Sequence, residues 1–205
     1  KGSGKDTAAQ YLQLKYGASQ FAIANELKQL ISMVFGFSQQ QLWSTQAIKE
    51  TIDPDVGMSP REAMERMGDA LAAIYGKDFQ ISRLFGHIRK LAPRLAVISD
   101  VRYPWEADYI AIHGTQRVSD RKPLLWRLDY APDLKRWGSS HQSEDFWATI
   151  PVDLEIKPSK PGLQYLYAAL DEACHMFQIP TSIEYAESVV CEIVRSCEPK
   201  VSSAI

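Results

Sequence analysis

Two spacings of apolar residues run along the chain and mark out its elements. Residues 5–16 read as a first helix, in which Ala8-Ala9-Gln10-Tyr11-Leu12 is a good helix-forming run. The short apolar run Phe21-Ala22-Ile23-Ala24 precedes a second helix over roughly 25–35. Leu27, Leu30, Ile31 and Val34 line one face of that helix, and Gly36 stops it. Residues 37–58 are polar, contain Pro54 and Gly57, and read as a loop or a short helical excursion. Ser59-Pro60-Arg61-Glu62 opens a helix: serine caps, proline fits the first helical position, and Glu62 completes a capping box. Met64, Met67, Leu71 and Ile74 form its apolar stripe, and a further helix covers 78–91.

The period then changes. Leu95-Ala96-Val97-Ile98-Ser99-Asp100 is continuous rather than alternating, as expected of a parallel strand covered on both faces. Pro104-Trp105-Glu106 starts a helix that ends at Gly114. Residues 124–128 are a further strand, 152–156 a later and more exposed one, and 162–177 a helix with Leu163, Leu166, Leu170 and Cys174 on one side. Thr181-x-x-Glu184 is a second capping box and opens a C-terminal helix with Val189, Val190 and Ile193 inward. Strands alternating with helices predict an α/β fold with a mainly parallel sheet.

Composition narrows the classes. The 205 residues are 45% hydrophobic, enough for one domain with a sizeable core or one domain plus a small appendage. A net charge of -2 offers no broad basic face for nucleic acid. No apolar run is long enough to span a bilayer. The cysteines (Cys174, Cys191 and Cys197) form no C-x-x-C pair and read as reduced thiols, which points to the cytoplasm.

The chemistry concentrates at the start. Lys1-Gly2-Ser3-Gly4-Lys5-Asp6-Thr7 reads as the back half of a phosphate-binding P-loop. Small residues let backbone N–H groups turn inward around a phosphate. Lys5 can reach the terminal phosphates, Thr7 offers a hydroxyl to magnesium, and the following helix points its N-terminal dipole at the anion. Asp6 separates the lysine from the hydroxyl residue, a variant that argues for a metabolite kinase over a GTPase or motor. A P-loop joins a central strand to a helix, so this reading expects its first glycine and first strand ahead of residue 1.

Other candidates follow from position. Asp100 ends the buried strand, where open α/β sheets bind ligands; it either organises a magnesium shell or orients an acceptor, or it is an ordinary helix-capping or turn residue. Arg102 lies near the same edge and either grips a phosphate or pairs with Glu106. Arg61 occupies the second position of a capped helix, where the dipole disfavours a cation by about 0.3–1 kcal/mol; it is either held there for an anion or simply solvated. Loops at 115–122 and 131–149 carry Arg117, Arg121, Lys122, Lys135 and Arg136, and either is a candidate lid or a solvated loop. His141-x-Ser143-Glu144 has no second ligand that would make a metal site.

Taken in order, Gly2-Ser3-Gly4-Lys5-Asp6-Thr7, Glu26-Leu27-Lys28, Arg61 with Met67-Gly68, Val97-Ile98-Ser99-Asp100-Val101-Arg102 with Glu106-Ala107-Asp108, and His141-x-Ser143-Glu144 resemble the bacteriophage-type deoxynucleoside monophosphate kinases over roughly residues 1–175. The resemblance implies a P-loop nucleoside-monophosphate-kinase-like three-layer fold, with helices on both faces of the sheet and a mobile lid. It places the kinase domain at 1–179, the lid at roughly 131–149 and a C-terminal helical extension at 180–205. It implies magnesium-dependent transfer of the ATP γ-phosphate to a deoxynucleoside monophosphate in the cytoplasm (the host's, if phage-encoded), often by a homodimer.

By that resemblance Gly2, Ser3, Gly4, Lys5, Asp6 and Thr7 serve ATP. Lys1, Lys28, Arg61 and Arg102 face the monophosphate, Lys5, Asp100 and Arg102 are catalytic, Thr7 and Asp100 serve the metal, and Lys135 and Arg136 fall in the lid. The chain departs from the family at Lys157-Pro158, where Asn-Asp is usual, and in the 115–123 loop and the last helix, which look added. Two rivals stand beside this reading: another kinase of the same fold, such as a phosphomevalonate kinase, and a nucleotide-binding module without catalysis. Trp43, Trp105, Trp137 and Trp147 are each candidates for stacking on a base or for ordinary packing.

Overall fold

A computed structural model describes residues 4–117, 122–129, 146 and 149–185. Its elements run α1 (Lys5–Tyr16), β1 (Ser19–Phe21), α2 (Ala24–Phe35), α3 (Gln39–Trp43), α4 (Gln46–Glu50), α5 (Pro60–Tyr75) and α6 (Phe79–Leu91). They continue through β2 (Ala96–Ile98), α7 (Pro104–Arg117), β3 (Trp126–Leu128), β4 (Leu154–Ile156) and α8 (Leu163–Met176). The fold is α/β with small parallel sheets: β1 pairs with β2, matching Ser19 to Ala96, and β3 pairs with β4, matching Trp126 to Leu154.

The single sheet expected from the sequence is not what the described residues form. Each pair is hydrogen-bonded over three residues, and the two pairs make separate two-stranded sheets. Helix α1 joins them by packing. Its Ala8 lies against Ile156, Leu154, Leu128 and Trp126, while its Leu12 and Tyr16 lie with Ala18, Leu95 and Val97. The further strand expected ahead of residue 1 falls outside the described residues.

Coverage of both faces holds for the first pair. Alternation along β2 sends Ala96 and Ile98 towards Ile81, Leu84, Phe85 and Ile88 of α6 and Ile110 of α7. Val97 and its neighbour Leu95 go the other way, towards α1 and Cys174 of α8. The continuous apolar run therefore has a physical cause in helices on two sides.

Several local expectations shift. The apolar run at 21–24 is mostly not strand: β1 ends at Phe21, and Ile23 is already the residue capping α2. Leu27 and Ile31 carry the inward face of α2, while Val34 is 57% exposed. In α5 the stripe holds through Met64, Met67 and Leu71, but Ile74 is 70% exposed because the α2–α3–α5 cluster ends a turn earlier. Ser59 Oγ accepts from the Glu62 N–H at 3.2 Å, yet the Glu62 carboxylate turns to Arg66 at 2.6 Å, leaving half a capping box. Leu163, expected inward on α8, is 49% exposed.

Residues 37–58 contain two short helices. The first has the full capping box that Ser38-x-x-Gln41 encodes: Ser38 Oγ accepts from the Gln41 N–H, and Gln41 Oε1 accepts from the Ser38 N–H at 2.8 Å. Helix α7 runs past Gly114 to Arg117. A Cβ on Gly114 would sit 2.7 Å from Pro123, so the glycine lets the approach to β3 pass close to the helix. Past α8, Thr181 and Glu184 form their capping box, Ser182 Oγ donates to the Lys15 carbonyl at 3.1 Å, and the Arg94 guanidinium lies 4.5 Å from the centre of the Tyr185 ring. The first turn of the C-terminal segment thus packs on its own domain. No described helix is long and apolar enough to cross a membrane.

Candidate active site

Helix α1 begins at a residue that only glycine adopts cheaply. Gly4 has φ 74°, and its carbonyl accepts the first helical bond from Ala8 at 2.8 Å. No side chain caps this end, so the first-turn N–H groups of Lys5, Asp6 and Thr7 face outward with the positive end of the helix dipole. Lys5 Nζ rests on the neighbouring Asp6 carboxylate at 2.8 Å, a half-exposed pairing of little strength. Lys1, Gly2 and Ser3 lie outside the described residues.

Helix α2 brings Lys28 to this end. Its neighbours are held elsewhere: Glu26 pairs with Arg83 of α6 at 3.5 Å, and Leu27 is in the core. Burial pushes the Lys28 ammonium below the ordinary lysine range; Asp100 and Asp6 oppose that, while Lys5 and Arg102 add to it. These five charges from α1, α2 and the end of β2 therefore share one neighbourhood. Lys28 Nζ also lies 5.3 Å from the centre of the Trp43 ring, at the end of α3.

Asp100 does cap a helix, though one distant in sequence. Its two carboxylate oxygens accept from the N–H groups of Ile23 at 2.7 Å and Ala24 at 3.0 Å, and so fix the start of α2 and with it Lys28. Arg102 does not take Glu106 as its partner. The Glu106 carboxylate accepts instead from the backbone N–H groups of Arg102 at 2.7 Å and Tyr103 at 3.1 Å, capping α7. That leaves the Arg102 guanidinium without an acidic partner among the described residues. Burial pushes Glu106 up to about 7, against the pull of those two N–H groups.

Arg61 is neither solvated nor firmly neutralised. Its Nη2 donates to Gln46 Oε1 at 2.7 Å, while carboxylates approach only loosely, Glu65 at 3.5 Å and Glu50 at 3.7 Å. Gln46 in turn donates to Glu50 through its amide nitrogen. Helix α4 thus supplies the collar around Arg61.

The same helix carries a residue that sequence reasoning missed. Burial pushes the Lys49 ammonium below the lysine range, and Lys28, Arg61 and Lys5 push it further, with Asp6 opposing. Lys49 joins the cluster from a stretch that reads only as polar. The signal available in the sequence was the Ser38-x-x-Gln41 capping box, which marks helix, together with the three- and four-residue spacing of Gln46, Lys49 and Glu50.

The remaining expectations fall apart from this cluster. Trp105 stacks on Tyr103, the residue after Arg102, at 4.2 Å, with Lys77 Nζ 5.0 Å from the Trp105 ring centre. Lys122, a loop candidate, is tied to Asp153 at 2.8 Å. Lys157, where the chain departs from the resembling family, pairs with Glu155 at 2.6 Å. Lys135, Arg136, Arg121, His141, Ser143, Glu144, Trp137 and Trp147 lie outside the described residues, as does nearly all of 131–149. No group of three His, Cys, Asp or Glu suited to a metal occurs among the described residues. Cys174 is fully buried, and desolvation pushes its thiol up to about 11, the mark of an inert core residue.

A protein of Acanthamoeba polyphaga mimivirus that bears the provisional name deoxynucleotide monophosphate kinase is 33% identical over 145 residues, covering 64% of this chain and 75% of that protein. The chain belongs to the deoxynucleotide monophosphate kinase family. At the level of the family, this supports the function of a nucleotide kinase, a transferase. No family model and no solved structure matches this member of the deoxynucleotide monophosphate kinase family.

Proposed function

We propose that the protein transfers the γ-phosphate of ATP to a deoxynucleoside 5′-monophosphate, on a P-loop nucleotide-kinase fold. The observation that carries this reading is that Lys28 shares the electrostatic neighbourhood of Lys5, Asp6, Asp100 and Arg102, and that Lys49 links that neighbourhood to Arg61. A triphosphate site needs the helix end and Lys5; three further cations from α2, α5 and the end of β2 suit a second phosphate. A module that merely senses ATP has no need of them.

In this mechanism an oxygen of the acceptor phosphate attacks the γ-phosphorus. The new O–P bond forms as the bond to the β–γ bridging oxygen breaks, and ADP leaves with that electron pair. The acceptor is already anionic, so no strong general base is required, and positioning with charge neutralisation does the work. Lys5 leaves Asp6 to steady the transferring group. Arg61 exchanges its loose carboxylate contacts for phosphate oxygens, and Arg102 and Lys28 hold the acceptor from the other side.

The donor set fits magnesium that keeps several of its waters. The Thr7 hydroxyl makes no hydrogen bond among the described residues, and each Asp100 oxygen, having accepted one N–H, retains a lone pair. Thr7 would hold the ion and Asp100 its water shell, and the ion would neutralise charge on the phosphates.

An ADP-release assay with dGMP, dTMP, dCMP, dAMP and phosphomevalonate tests the reading. Turnover is expected with at least one deoxynucleotide and not with phosphomevalonate. Lys5→Ala should lower turnover by about two orders of magnitude or more while leaving the circular dichroism spectrum unchanged. Near wild-type activity in that variant would sink the mechanism. ATP binding without transfer to any of the five would favour the non-catalytic module.

A further inference from the structure

We infer that Lys49 binds the phosphate of the acceptor nucleotide, and that α3 and α4 together form the acceptor wall of the site. This deepens the function proposed above and rests on it. Gln46, Lys49 and Glu50 lie three and four residues apart, so they share one face of α4. That face is turned towards Arg61, since Gln46 Oε1 accepts from Arg61 Nη2 at 2.7 Å. The preceding helix ends at Trp43, over whose ring the Lys28 ammonium sits at 5.3 Å. The excursion from 39 to 50 thus touches Lys28 through Trp43 and Arg61 through Gln46, and Lys49 lies on the same face of α4 as Gln46.

The charge arrangement then points to an anion. Lys49 is half-buried and has no carboxylate within ion-pair distance among the described residues; Glu50 beside it is engaged by Gln46. Burial pushes its ammonium below the lysine range, Lys28, Arg61 and Lys5 push it further, and Asp6 opposes them. An ammonium drawn out of water among like charges is unfavourable unless something negative offsets it. A phosphate monoester carries nearly two negative charges at neutral pH and three acceptor oxygens, which suits several donors converging from separate elements. A packing role alone would be served by an uncharged side chain of the same length.

Steady-state kinetics of the full chain tests this, with Lys49→Met keeping the aliphatic stem, Lys49→Arg restoring the charge, and Arg61→Ala as reference. Lys49→Met should raise the monophosphate KM about tenfold to a hundredfold, the loss of one charge-assisted hydrogen bond. It should leave the KM for ATP within about twofold, and Lys49→Arg should recover most of the loss. A monophosphate KM unchanged in Lys49→Met while Arg61→Ala raises it would overturn the role of Lys49 and leave the acceptor site standing. A shift confined to the ATP KM, or a lowered melting temperature with both KM values unchanged, would overturn it likewise. Monophosphate KM values unchanged in both variants would overturn the acceptor site as well. Should Lys49→Met fail to fold, Lys49→Gln is read by the same outcomes.

Discussion

Two clusters of charged and polar side chains sit at opposite ends of α1, and they are built on opposite principles. At the far end Asp171 of α8 accepts from Tyr11 Oη at 2.8 Å, Tyr16 Oη at 2.8 Å and Lys15 Nζ at 2.7 Å. Burial pushes its carboxyl up, but those three donors hold it below the ordinary aspartate range. The network is closed: one acid, one cation and two hydroxyls satisfy each other and clamp α1 to α8. At the near end, Lys5, Lys28, Lys49, Arg61 and Arg102 face Asp6 and Asp100, and Asp100 is engaged by backbone N–H groups. That arrangement is open: Glu50 and Glu65 approach Arg61 only at 3.7 and 3.5 Å, and neither Lys28 nor Lys49 has a carboxylate within ion-pair distance among the described residues. A closed network belongs to the fold; an open one is shaped for something that is not part of the chain.

The sharpest way to break the comparison is to neutralise one member of each cluster. Lys28→Met is expected to lower kcat/KM for the monophosphate about a hundredfold, since a charge-assisted contact is lost. The melting temperature should stay level or rise, because an ammonium held out of water is removed. A fall in melting temperature with unchanged kinetics would make Lys28 part of the fold and erase the distinction. The mirror experiment is Asp171→Ala. It strands Tyr11, Tyr16 and Lys15 and should cost about 2 kcal/mol in urea unfolding, with turnover per folded molecule unchanged.

The smallest effect concerns the boundary of the open cluster. Glu106 is raised to about 7 by burial, so between its ordinary value near 4.5 and 7 the folded protein holds a proton that the unfolded chain has released. Stability should therefore fall as pH rises through that window, by on the order of 1 kcal/mol, and Glu106→Gln should flatten the slope. Urea melts at pH 5 and pH 7.5 decide it; equal stability of the unmodified protein at both would mean that Glu106 is ionised throughout, adding a negative charge beside Arg102.

How much of this is legible in the sequence differs between fold and site. Helix limits came within a residue or two wherever caps were explicit, as at Gly36 and Ser59, and the two-sided covering of β2 followed from its unbroken apolar run. The strands proved shorter than their apolar runs, because pairing depends on a partner that periodicity does not register. In the site, Lys5 and Lys28 were found through motif order, and both fall in the cluster. Lys49 was not: the Ser38-x-x-Gln41 capping box marks helix in that stretch, but nothing in the sequence says which charges the helix lies beside. The paired readings of Asp100 and Arg102 show the same limit: spacing put both residues at the strand end, but which acid would hold which backbone N–H depended on contacts 77 residues apart.

The docking of Ser182 and Tyr185 on Lys15 and Arg94 has a practical side. Helix α1 is 12 residues long, or about 18 Å, with Gly4 at one end and this contact at the other. Under the function proposed above, a fluorophore attached at Ser182 would sit at the end of α1 remote from the nucleotides, so the labelled protein should keep its substrate entrance clear.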